Sequence, residues 1–159
     1  MLEFDFDKEA VKAALHFLQQ RIPGLTKHQA FKLLYFADVR HLERYGRPIT
    51  GDQYVAMEYG PVPSKTYDLV KEGSKGKALP PIEGDLDELS DSDLEILEEI
   101  VEQYGKHGFR ERTDLSHDAA WEAAREREPA SRAPQMPWSE IIRARVDHAE
   151  ELLRYLTDD

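Results

Sequence analysis

Asp38 falls on the helical stripe formed by Phe31, Leu34, Tyr35, Leu42 and Tyr45, in a segment where nearly every other residue is apolar or aromatic. A carboxylate in phase with a core face must find a partner or protonate, because burying it unpaired is costly. Perturbed acids of this kind serve catalysis in some active sites. The alternative is a structural acceptor for backbone N–H groups or a Tyr hydroxyl. No second acid, nucleophile or glycine-rich loop accompanies Asp38 in its segment, which favours the structural use. Lys32 sits in the same apolar run, and its long stem is expected to carry the charge out to the edge. Of the six histidines, at 16, 28, 41, 107, 117 and 148, no two recur at the three- or four-residue spacing that sets two ligands on one metal. His117 follows a candidate N-cap and precedes Trp121 by four residues, so it reads as a structural histidine bonded across a helix start. With no cysteine there is no thiol nucleophile, sulfur-ligated zinc or disulfide framework. No metal or cofactor is expected.

The elements that must hold these residues are mostly helical. Val11, Ala14, Leu15, Leu18 and Ile22 share one face of a first helix, which Asp5 or Asp7 can cap and Pro23-Gly24 ends. Thr26 and Gln29 form a capping box that starts a second helix near Lys27. That helix runs to about Tyr45, where Gly46 suits a left-handed cap and Pro48 forbids continuation. It is apolar all round from Ala30 to Ala37 except at Lys32, and is expected to be central. Tyr54 and Ala56 then alternate with Val55 and Met57 in a short strand or hairpin. A third helix follows from Ser64, stopped by Gly73. Ser90 and Asp93 start a fourth, with Leu94, Leu97, Val101 and Tyr104 as its stripe. Ser116 caps a shorter one bearing Ala120, Trp121 and Ala124 on its inner face, after Leu115. A last helix runs from Trp138 to about Leu156 with Ile142, Val146, Ala149 and Leu153 in register. The fold class is therefore mainly α: a compact single domain over residues 1–159, of about six helices with one short β-strand or hairpin between the second and third, and flexible connections near 74–89 and 129–137.

A chain of 159 residues can bury roughly two thirds of its unfolded surface without staples. The acidic N-terminus is unlike a secretory signal, and no apolar run approaches the roughly 20 residues of a membrane span. A cytoplasmic protein is expected, with no membrane partner. The net charge of −11 is uneven: residues 1–77 carry 12 Lys and Arg against 10 Asp and Glu, and the remainder carries 9 against 22. The acidic C-terminal half repels phosphate backbones, so no nucleic-acid partner is expected, and it suits a basic protein partner.

Tyr59-Gly60-Pro61-Val62-Pro63 reads as a rigid turn. Gly60 supplies an unusual backbone angle, and the two prolines stiffen the approach to the third helix. With Tyr54 and Tyr67 beside it, the turn offers aromatic area with little entropy to lose, which suits a protein interface. The candidate partner-binding residues are Tyr54, Tyr59, Pro61, Val62, Lys65 and Tyr67, together with the acidic half.

KLLYFAD, then RPITGDQYVAMEYGPVPSKTYDL, then LSHDAAW some fifty residues on resembles the Panacea domain, the family of SocA-like antitoxins of bacterial and phage toxin–antitoxin operons. The pattern falls on Lys32, Leu33, Leu34, Tyr35, Phe36, Asp38, Gly60, Pro61, Val62, His117 and Trp121, many of which read as core. The resemblance implies a noncatalytic protein that binds a cognate toxin and holds it inactive. It equally allows an adaptor that delivers the toxin to an ATP-dependent protease. Some relatives carry a preceding DNA-binding domain; the first helix here starts almost at Met1, so direct operator binding is not expected. An enzyme would need Asp38 or His117 to line an open cleft.

Overall fold

The computed structural model describes residues 1–70 and 78–158. Among these, the chain forms eight α-helices and a three-stranded antiparallel sheet of order β2-β1-β3. Helices α1 (Lys8–Arg21) and α2 (Lys27–Tyr45) begin and end where local chemistry requires. Asp7 caps α1 by accepting from the Ala10 N–H. Thr26 and Gln29 close both halves of the capping box on α2, and Gly46 ends it at φ 79°. Twelve of the 19 residues of α2 are buried, so it is indeed central: α4 (Asp91–Tyr104), α5 (Phe109–Ser116), α7 (Trp138–Arg145) and the hairpin all pack on it.

After α2 come β1 (Tyr54–Met57), β2 (Gly60–Pro63) and α3 (Ser64–Val70); Gly73, expected to stop α3, lies outside the described residues. Of the expected rigid turn Tyr59 to Pro63, residues Gly60 to Pro63 form a strand, all four buried, and Tyr59 alone stays exposed in the turn. The prolines permit this. Ser64 N–H donates to Gln53 C=O at 2.8 Å, and the register pairs Val55 with Val62 and Ala56 with Pro61. Alternation along an antiparallel ladder then puts Pro61 and Pro63 at non-hydrogen-bonded positions on an edge strand, where a missing N–H costs nothing. A third strand, β3 (Gln135–Met136), pairs with the other side of β1.

The remaining helices depart further from expectation. A helix absent from the sequence reading, α5, precedes α6 (Ala119–Arg127). Ser116 therefore belongs to the end of α5 and does not cap; Asp118 caps α6 by accepting from Trp121 N–H at 2.9 Å, and Leu115 is exposed. The expected last helix is two, α7 and α8 (Ala149–Thr157), separated at Val146–His148. In α4 the fully buried residues are Ile96, Leu97 and Ile100, while Leu94, Val101 and Tyr104 are only partly covered, because the helix is wedged between α1 and α2. The stretches read as flexible are tied down where described. Gln19 of α1 holds the Pro80 carbonyl and the Ile82 N–H, Leu79 N–H donates to Leu25 C=O, and Leu79 and Leu89 are buried. Pro134 C=O likewise accepts from Ala56 N–H at 2.7 Å.

Two buried carboxylates join these elements. Asp38 is wholly buried and accepts from Ile49 N–H (2.8 Å), Thr50 N–H (2.9 Å), the Thr50 hydroxyl (2.6 Å) and the Tyr54 hydroxyl (2.7 Å). It is the structural acceptor expected. Burial pushes its pKa up to about 6, against the pull of these four bonds, and it is ionised at neutral pH. Asp52, on the approach to β1, accepts from Lys65 N–H, Thr66 N–H and the Thr66 hydroxyl, and so supplies the cap of α3 in place of Ser64.

Two outcomes follow from these contacts. Asp38→Ala leaves two backbone N–H groups and two hydroxyls without their acceptor and should lower unfolding stability by at least about 3 kcal/mol. Asp38→Asn keeps Oδ1 for the backbone and should cost less. The raised pKa favours the protonated acid in the fold, so wild type should lose about 2 kcal/mol of stability as pH rises from 4 to 6, and the Asn variant should lack that slope in urea titrations. Gly60 has φ 120°, and an added Cβ would lie 2.6 Å from both Lys32 Cε and Ser116 Oγ. Gly60→Ala should therefore lower the thermal midpoint by several degrees, corresponding to about 1–3 kcal/mol.

Candidate binding cleft

A cleft of about 950 Å³ opens between the start of α2, the β1–β2 turn, the start of α5 and the segment after α6. Its walls are aromatic. Tyr59, Tyr67 and Phe109 are exposed at its rim, Tyr59 meeting Phe109 edge-on at 5.3 Å between centroids and Tyr67 leaning on Phe31 at 6.1 Å. His28 stacks beneath Phe109 at 4.1 Å.

The floor is cationic. Lys32 is 1% exposed, and its ammonium donates to the Pro61 carbonyl at 2.8 Å. The expectation that its stem carries the charge outward is not met: the outward carbonyl of β2 lies within reach and holds the ammonium inside. Burial, then the nearby Arg112 guanidinium, push its pKa down to about 7. Arg112 is also buried. Its Nε donates to His28 Nδ1 at 3.1 Å, and its Nη1 to the His107 carbonyl. The Thr113 hydroxyl donates to Phe109 C=O at 2.8 Å, so toward His28 Nε2, 3.1 Å away, it acts as acceptor. His28 is then neutral, protonated on Nε2 only. Desolvation first, then Lys32 and Arg112, lower its pKa to about 3, in agreement.

The hairpin that forms one wall is held by two side chains of α6. Trp121 Nε1 donates to Met57 C=O at 2.8 Å, and Arg125 to Ala56 C=O at 3.1 Å. His117 lies flat on Trp121 at 3.7 Å, with a 7° interplanar angle. It is the C-cap of α5 and does not bond across the start of α6. Neither His117 nor Asp38 lines the cleft.

Of the candidate contact residues, Tyr59, Val62 and Tyr67 meet at the cleft. Tyr54 does not: it is fully buried with its hydroxyl on Asp38, and it presents no surface. Pro61 is buried in β2. Lys65 is exposed but points to the ring of Phe6, 5.6 Å away, and is no part of the lining. The acids of the C-terminal half are in part engaged, with Glu95 and Glu99 on Arg44, Glu98 on Arg21 and Glu140 on Arg127. Sequence reasoning missed Phe31, His28, Phe109, Arg112 and Arg125 as one constellation. The first two lie in the opening turns of α2, and the spacing of a cation and two aromatic residues there was a faint signal. Among the described residues no group of three His, Asp or Glu is placed to hold a metal, and no helix is long and apolar enough to cross a membrane.

The Lys32 charge has a measurable cost. A lowered folded pKa means that the unfolded chain binds the extra proton between pH 7 and 10.5, so stability should rise with pH across that window. Lys32→Met should abolish the rise. At pH 6 it should be more stable than wild type by up to about 5 kcal/mol, less about 1–3 for the Pro61 carbonyl left without its donor. Denaturant titrations at pH 6 and 9 measure both.

Comparison with curated proteins and with solved structures gives no match. The family model for the SocA-like antitoxins, Panacea domain, matches residues 31–122. That span holds α2 with Lys32 and Asp38, the hairpin, and His117 and Trp121. The chain belongs to the SocA-like antitoxin family, through its Panacea domain.

Proposed function

We propose that the protein neutralises a cognate toxin by direct stoichiometric binding, and that the face used is the aromatic rim around the β1–β2 turn. Membership of an antitoxin family, with the match spanning that turn, carries the reading. The exposed rings of Tyr59, Tyr67 and Phe109 support it, since large aromatic side chains fixed on rigid elements supply most of the energy of many interfaces. Val62 lies within the same hairpin and Lys65 follows it in α3. The unpaired remainder of the acidic half would speed encounter with a basic partner without fixing the geometry.

Expression of the neighbouring gene product, alone and together with this protein, tests the reading. The neighbour should arrest growth alone, growth should return on co-expression, and the two should copurify as a stable complex. Tyr59→Ala with Tyr67→Ala should weaken that complex at least tenfold with the melting curve of the free protein unchanged. A harmless neighbour, or the absence of any complex, ends the proposal. Loss of the neighbour only when an ATP-dependent protease is present would replace inhibition by delivery for degradation.

A further inference from the structure

The floor of the cleft contains two buried cations and, among the described residues, no carboxylate paired with them. An ammonium has three N–H donors and a guanidinium five. Lys32 uses one of its three, on Pro61 C=O, and Arg112 uses two of its five, on His28 and His107. Among the described residues neither makes an ion pair. Buried donors are normally satisfied, and a buried cation calls for an anion. Among the described residues the one acid along the lining is Glu58, exposed at the hairpin turn, whereas Arg125 and Arg132 add positive charge at the wall and mouth. A protein of net charge −11 has therefore collected positive charge in this concavity. Low-dielectric walls concentrate such a field on whatever enters.

The rest of the cleft specifies the body of the ligand. At about 950 Å³ it falls within the size range of small-molecule sites. Phe31, Tyr59, Tyr67 and Phe109 offer ring faces and edges within reach of a flat heterocycle. The two charges at the floor match a phosphate monoester dianion, and the guanidinium fork suits its oxygens. We infer that the cleft binds a nucleoside monophosphate, with the phosphate on Lys32 and Arg112 and the base against the rings of Tyr59 and Phe109. The other ring pair, Phe31 and Tyr67, also lines the cleft. No group of this site is shared with Asp38, which serves the scaffold, and the inference does not depend on the toxin.

Isothermal titration of the full chain with AMP, GMP, CMP, UMP, adenosine and inorganic phosphate tests it. At least one nucleotide should bind at least tenfold more tightly than adenosine and than phosphate, because both halves of the site contribute. Arg112→Met and Lys32→Met should each lower that affinity at least tenfold. Phe109→Ala, which removes an exposed ring, should lower it several-fold with the melting curve unchanged, and it keeps the test informative if a floor variant fails to fold. No binding of any nucleotide at millimolar concentration overturns the inference, as does adenosine binding as tightly as AMP, or affinity unaltered in Phe109→Ala. Failure of the nucleotide titration leaves toxin copurification untouched, and the converse holds as well.

Discussion

The hydrogen bonds that converge on the Asp38 carboxylate decide where the hairpin sits. After Gly46 the backbone leaves α2 and runs through Ile49 and Thr50 with no helical or strand partner for their N–H groups. A buried segment of that kind is ruinous unless an acceptor reaches it. Asp38 reaches it from two turns back along α2, and its second oxygen takes the hydroxyls of Thr50 and Tyr54. One side chain thereby fixes the exit of α2, the turn and the first residue of β1. Asp52 repeats the device a few residues on: its carboxylate takes the start of α3, and its carbonyl accepts from Trp138 Nε1 at 3.0 Å. Two carboxylates thus do in an irregular segment what a ladder does in a regular one.

Because the hairpin is pinned in this way, its outer edge faces α2 at a set distance. The Pro61 carbonyl points outward from the ladder and meets Lys32, and the turn at Glu58-Tyr59 is presented over the start of α5. Trp121 and Arg125 of α6 hold the carbonyls of Met57 and Ala56 in β1. The cleft is the space left between elements fixed by other means. Its shape is a consequence of buried polar bonds, and this sets it apart from an apolar groove that could close by repacking.

What the residues revealed in advance follows from the range of the interactions involved. Caps are local, so Thr26 with Gln29, Ser90 with Asp93, and Gly46 were all legible. The role of Asp38 was legible too, because an acid on an apolar stripe has few resolutions. Strand β2 was hidden by its own prolines, which signal a turn unless their alternation against an edge is known. Helix α5, FRERTDLS, has too few apolar residues to show a period, and its burial comes through Arg112 and Ser116. No Gly or Pro marks the break between α7 and α8. In the cleft, Tyr59, Val62 and Tyr67 could be named from one segment. Arg112 reaches His28 across 84 positions, and such a pairing exists only once the fold is made.

Lys32 and the Gly-Pro-Val-Pro strand are best understood as one unit. Pro61 requires a donor from outside the sheet for its carbonyl, and Lys32 provides it with an ammonium whose pKa burial lowers to about 7. A neutral donor on α2, such as a Gln amide, would satisfy the carbonyl without the desolvation penalty of an ammonium. Gly60 is shaped to the same group, since any Cβ there would displace Lys32 Cε. Stability alone does not account for a cation in that position, with Arg112 close enough to depress its pKa further. Its contacts with a carbonyl and a glycine, and its place on the lining of the cleft, mean that the same residue closes the scaffold and charges the floor. A substitution that keeps the hydrogen bond but removes the charge separates these two roles, because the first is a matter of geometry and the second of field.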